Sequence, residues 1–146
     1  MKLLYAVGAG LAGALVLTAT HQILQKIYED APRMDLMGEE AVTKITDKTG
    51  THIPQKNLYG ITMAGDIAAN TLYYALAAIG KSKKTTLQGT MLGLAAGIGG
   101  VFLPKHMRLT NAYSDRTPAT RLLTMAIYTL GGFVTGKIAD VLHKRY

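Results

Sequence analysis

The chain has 146 residues, with 16 Lys and Arg against 9 Asp and Glu, giving a formal charge of +7. It is 49% hydrophobic and holds no Cys and no Trp, which excludes disulfides and thiolate metal sites. Its basic residues gather between apolar runs, in KSKK (81–84), PKHMR (104–108) and HKRY (143–146), while most tyrosines sit beside apolar segments. That pattern suits the flanks of membrane spans and gives no base-stacking platform, so nucleic acid is not expected as a partner.

From Leu3 to Gln25 there is no charged residue. A run of that length matches the ~20 residues that cross a ~30 Å hydrocarbon layer, so a first transmembrane helix is expected over about 3–25. No small-x-small site follows its apolar core, since AGA (12–14) comes too early, and the run is read as a retained helix instead of a cleaved leader. Within it, AVGAGLAGAL (6–15) sets Gly8, Gly10 and Gly13 in a G-x-G-x-x-G pattern. A dinucleotide fold would need a second strand after it, and ILQKIYED (23–30) lacks the alternation of one. Small residues one turn apart instead make a smooth helix face for close packing in lipid.

Residues 35–48, DLMGEEAVTKITDK, predict a short amphipathic helix lying at the membrane surface or over the mouth of the helices. Asp35 is expected to cap its start, Glu40 and Lys44 to pair one turn apart, Met37, Ala41 and Ile45 to form its apolar stripe, and the TG at 49–50 to end it.

Three further spans are expected, over about 58–80, 86–104 and 119–142. The second contains Asp66 as its one charge; the third contains none; the fourth carries Lys137 and Asp140 near its end, expected to pair locally. Steps of four between small residues recur, as in Gly89, Gly93 and Gly97, in Gly132 and Gly136, and in Gly10 and Gly13 with their alanine neighbours. Gly costs a helix about 1 kcal/mol relative to Ala, so repeated use implies a return in helix packing. A soluble helical bundle is the alternative, but the first and third runs lack any charged face. The expected fold is therefore all-α, an integral membrane four-helix bundle forming a single domain over 1–146.

The first and third runs resemble each other. Gly8 and Gly93 each precede a histidine, His21 and His106, by thirteen residues, and a polar Pro/Arg turn follows each run: DAPRMD (30–35) and SDRTPATR (114–121). Two tandem helical hairpins would explain this and would place both polar turns on one side of the membrane.

TATHQILQKIYEDAPRMDLMGEEAV (18–42) and LPKHMRLTNAYSDRTPATRLLTMAIYTLGG (103–132) resemble stretches of an uncharacterised family of small bacterial multi-pass membrane proteins. In that family a histidine ending the first span is followed by an APRMD-x-x-G turn, and RTP-x-T leads into the last span. The resemblance implies the bacterial inner membrane and supplies no mechanism.

Asp66 is the sharpest single feature. It lies eight residues into its run, ~12 Å down a helix, where an ionised carboxylate is costly and faces the protein interior. Asn70 is one turn on, and His21, Arg33, Asp35, His106 and Arg116 are expected to approach from the same side. Either these residues form a polar pocket for a proton, an ion or a lipid headgroup, or Asp66 pairs with Arg33, Arg116 or a histidine and locks the helices; the second reading is preferred. No metalloprotease, phosphate-loop or nucleophile-elbow motif is present, and neither catalytic residues nor a metal or cofactor are expected. Nine basic residues on one side against seven on the other leave orientation undecided, with the compact KSKK loop favouring cytoplasmic termini. The expected function is a non-enzymatic structural or accessory subunit, self-associating or part of a larger membrane complex. A small transporter or channel using Asp66 is the alternative, and an enzyme acting on lipid or quinone a further one.

Overall fold

The computed structural model describes residues 2–79 and 84–145. Gly80, the expected end of the second span, and most of the KSKK loop lie outside them. Among the described residues there are six helices and no strand: α1 (Lys2–Ile27), α2 (Met34–Thr49), α3 (Gln55–Ala75), α4 (Thr85–His106), α5 (Ala112–Asp115) and α6 (Pro118–Arg145). A 3-10 turn, Leu76–Ala78, extends α3. The protein is all-helical, and the dinucleotide reading has no strand to stand on.

Local chemistry sets the boundaries. Pro118 opens α6 at the position where its missing N–H costs nothing. Pro54 precedes α3. Gly50 closes α2 in the left-handed region at φ 69°, a conformation that glycine takes without a Cβ clash. The residue flanking the start of α2 is Arg33, with no side-chain cap. Asp35 therefore does not cap the helix; it lies in the first turn, where Arg33 draws its carboxylate away.

Among the described residues, three helices, α1, α4 and α6, are long and apolar enough to cross a membrane. Four were expected. The helix short of that measure is α3, whose Asn57, Thr62, Asp66, Asn70 and Thr71 dilute its apolar residues. An absence of charge made that run look greasier than it is.

The long helices pack in the order α3, α1, α6, α4, with α4 against α6 the most extensive contact. Sequence neighbours thus pair as antiparallel hairpins, and α1 joins the two by packing on α6. Glycines allow the close approaches. A Cβ at Gly10 would overlap the Thr71 carbonyl, and one at Gly13 the Gly131 carbonyl and Thr135. Along α4, a Cβ at Gly89 would meet Gly132 and Gly136, one at Gly93 would lie 2.8 Å from the Thr129 Cα, and one at Gly97 would lie 2.6 Å from the Met125 Cα. From α6, a Cβ at Gly132 would meet Gly89 and Gly93, and one at Gly136 would meet Thr85 and Thr86. Gly8, by contrast, faces open space.

Small and hydroxylated residues fill the interior. Ala6, Ala9, Ala75, Ala78 and Ala139 form one buried cluster, and Leu17, Tyr74, Ile127 and Tyr128 another. Thr62, Thr71, Thr85, Thr120, Thr124 and Thr135 are buried as well. Several satisfy their hydroxyls on helix backbone: Thr85 donates to the Gly136 carbonyl at 3.1 Å and Thr135 to the Gly131 carbonyl at 3.1 Å. The tyrosines do likewise between helices, with Tyr74 donating to the Tyr128 carbonyl at 2.7 Å and Tyr73 to the Leu92 carbonyl at 2.9 Å.

The two polar turns meet at one end. The Arg33 amide donates to the Tyr113 carbonyl at 2.8 Å, and Thr120 donates to the Asp30 carbonyl at 2.8 Å. Arg116 reaches the Glu29 carbonyl and, at 3.4 Å, the Asp30 carboxylate. Helix α2 packs on α3 beside this junction. Its Glu40 pairs with Lys44 at 2.9 Å and accepts from the Thr110 amide at 3.0 Å, while Lys44 reaches the Arg108 carbonyl. Of its expected stripe, Met37 is buried and Ile45 is exposed. Near the end of α6, Asp140 pairs with Lys144 at 2.8 Å. Its expected partner, Lys137, lies over the Phe133 ring instead.

Candidate functional site

Two helix faces and one turn line a small cavity. On α1, Thr18, His21, Gln22 and Gln25 share a face at helical spacing; on α3, Thr62 and Asp66 are one turn apart; Met34 and Asp35 close the end from the start of α2. The cavity measures about 20 Å³, room for a single water.

Its lining is short of hydrogen bonds. His21 is 4% exposed and Thr62 is 5% exposed, yet the His21 Nε2 and Thr62 Oγ1 have no partner. The Thr18 Oγ1 is buried and lacks one too. Three such atoms around one cavity are unusual, because an unsatisfied buried polar group costs about 1–3 kcal/mol. The His21 ring hydrogen-bonds the Leu17 backbone one turn back and packs edge-on against Tyr128, 5.8 Å between centroids.

The two carboxylates differ. Asp66 accepts from the Asn70 side chain at 3.0 Å, and among the described residues it has no ion-pair partner. The preferred expectation, that a basic residue locks Asp66, therefore does not match the geometry. Asp35 is held on both oxygens, by Arg33 Nε at 3.1 Å and the other guanidinium nitrogen at 2.8 Å, with Gln25 adding a third bond at 3.0 Å. Partial burial pushes the Asp35 carboxyl up, but the hydrogen bonds and charge of Arg33 outweigh it and hold the group below its ordinary range. The same pairing raises the Arg33 guanidinium. Glu40, outside the cavity, is lowered by the Thr110 amide and by Lys44.

Of the residues singled out from the sequence, His21, Asp35 and Asp66 line the cavity, while Arg33 and Asn70 hold its two acids. His106 and Arg116 stand elsewhere. His106 is exposed at the end of α4, its Nδ1 3.0 Å from the Phe102 carbonyl. It is remote because α4 packs on α6, away from α1. Arg116 is spent on the junction between the polar turns. Thr18, Gln22, Gln25 and Thr62 were not singled out. Their signal is helical spacing: 18, 21, 22 and 25 form one stripe on α1, and 62, 66 and 70 one on α3.

Among the described residues no three His, Cys, Asp or Glu side chains converge as metal ligands. A larger apolar groove, about 390 Å³, opens between α3 and α4 beside Tyr73, Ala96, Gly100 and Tyr128. Comparison of the chain with protein-family models, curated proteins and solved structures gives no match.

Proposed function

We propose that the chain is a small multi-pass protein of the bacterial inner membrane, working as a non-enzymatic structural or accessory subunit in a four-helix bundle. One observation carries the membrane reading: the burial pattern is inverted. Leu3, Leu4, Ile23, Leu87, Phe102 and Leu122 are each more than half exposed, while much of the interior is built from Gly, Ala and Thr around a few large side chains. Each large apolar side chain left in water forgoes about 1.5–3 kcal/mol, and hydrocarbon removes that cost. Small residues then serve the purpose they serve in lipid, close backbone contact between helices. Helix α3 is the fourth crossing in this reading. Its polar side chains Thr62 and Asp66 turn toward α1, which lets it share the passage.

The bacterial location rests on the resemblance carried by the APRMD-x-x-G and RTP-x-T turns. The accessory role rests on the abundance of packing residues against the scarcity of chemical ones. Partners of the reading are the lipid bilayer and a second copy or a larger complex.

Single cysteines introduced into this cysteine-free chain test it. Labelling with an impermeant reagent in inverted and right-side-out vesicles should place residues 50 and 110 on one face and residue 84 on the other. A chain that stays in buffer without detergent and leaves vesicles alone overturns the reading. Detergent-solubilised protein that is strictly monomeric and partnerless overturns the accessory role.

A second reading, a transporter or channel, is favoured by one observation, the Asp66 cavity with its unsatisfied groups.

A further inference from the structure

We propose that the cavity between α1 and α3 is a proton-binding site, in which Asp66 and His21 share a single proton through one trapped water. The inference rests on the membrane reading and goes beyond the accessory role.

The donor set points to a proton. Asp66 brings a carboxylate with no countercharge, and His21 brings a buried ring nitrogen without a partner. Thr18 and Thr62 add two hydroxyl oxygens that lack partners, each able to donate or accept. The space admits about one water, which bonds up to four neighbours. One water therefore completes what the side chains leave open, and links the acid to the imidazole.

Charge balance then fixes the occupancy. With both groups deprotonated the pair carries −1, which a low-dielectric interior disfavours. One added proton makes the pair neutral overall. The low-dielectric interior favours it on an Asp66 oxygen beside neutral imidazole; in the minor form Asp66 gives its proton to the water and the water gives one of its own to the His21 Nε2, leaving a carboxylate–imidazolium pair. Two protons shift between the two forms, and the net charge stays zero. A hard cation would want several oxygen ligands, whereas an imidazole nitrogen forms part of this wall.

The surrounding groups leave that proton to the pair. From α2 and its turn, Asp35 faces the cavity but is neutralised by Arg33. From α6, Tyr128 meets the His21 ring by its edge. From α3, Tyr74 spends its hydroxyl on the Tyr128 carbonyl and Asn70 donates to Asp66. Gln25 is held by Asp35 and the Pro32 carbonyl. Among the described residues, no Lys or Arg lines the cavity to take the place of the proton.

Infrared spectroscopy on the full chain in phosphatidylethanolamine–phosphatidylglycerol vesicles tests this. Near neutral pH the chain should show a protonated-carboxyl band that is lost in Asp66→Asn and kept in Asp35→Asn. From acid to alkaline pH the pair should lose its protons in two coupled steps, the shared proton in the second, and His21→Gln should collapse them to one. Absence of an Asp66-dependent band, or two steps persisting in His21→Gln, overturns the proposal. Loss of the band on adding sodium at constant pH overturns it in favour of a cation site. Should Asp66→Asn fail to fold, Asn70→Ala reads the same group. Removing that hydrogen bond shifts the band, and an unshifted band overturns the assignment. Flotation of the same preparation separates the two readings: a chain that does not float refutes membrane embedding, and a floating chain without the band refutes the proton site alone.

Discussion

Substituting Gly132 by alanine should break a close contact between α4 and α6. Its new Cβ would overlap the Gly89 carbonyl and lie 2.9 Å from both the Gly93 Cα and the Gly93 nitrogen. All three obstacles are backbone, so no side chain can swing aside and α4 must move off α6. A gap of ~1 Å forfeits a quarter to a half of the dispersion energy of the atoms it separates. Overpacking of this kind costs about 1–3 kcal/mol, and a contact with backbone on both sides belongs at the upper end. Alanine returns up to ~1 kcal/mol of helix propensity. The net expectation is a loss of ~2 kcal/mol. Gly65 is the matched control, since a Cβ there meets nothing within 4 Å. Gly65→Ala should be neutral or stabilising by up to ~1 kcal/mol, which separates the variants by ~2–3 kcal/mol. Reversible unfolding in mixed micelles, followed by circular dichroism, measures both. If Gly132→Ala matches the parent chain, or Gly65→Ala falls as far, the packing argument is refuted.

Other consequences can be measured in the same way. Tyr74→Phe removes the 2.7 Å hydrogen bond to the Tyr128 carbonyl at a fully buried site and should cost ~1 kcal/mol in the same unfolding assay. Gly50→Ala forces an L side chain into φ 69° and should cost ~1 kcal/mol, seen as faster hydrogen exchange in the last turn of α2. Asp35 titrates lower in the folded chain than in the unfolded one, so its contribution is complete above the unfolded value near ~3.9 and is lost as pH falls through the folded value. Arg33→Gln should remove that dependence: the parent is more stable than the variant near neutral pH, and the two unfolding curves converge in acid. A gap that stays constant into acid would show that Arg33 contributes through something other than this pairing.

Charge-free length was a good guide where residues were apolar as well. The runs at 3–25, 86–104 and 119–142 correspond to α1, α4 and α6 within a few residues at each end. It says less in the second run, because Thr, Asn and Tyr are uncharged without being apolar, and α3 is less apolar than the other three. Asp66 and His21 were conspicuous because ionisable groups are rare in such runs. Thr18 and Thr62 were not, since threonine in a helix more often bonds its own backbone, as Thr20 does to the Val16 carbonyl at 2.7 Å. Asp35 looked like a cap by position; what decided its role was Arg33, two residues earlier and free to fold back on it. His106 looked equivalent to His21 by spacing. Which neighbour a helix chooses is a tertiary matter, and α4 chose α6.

The knot of turns at one end has a bearing on biogenesis. The carbonyls of Glu29 and Asp30 and the amide of Arg33 find their partners in Tyr113, Arg116 and Thr120, roughly eighty to ninety positions later. During synthesis those early groups wait, satisfied only by solvent, until the second half emerges. The clasp therefore waits on residues 113–120, and it cannot be tied before α4 has been made.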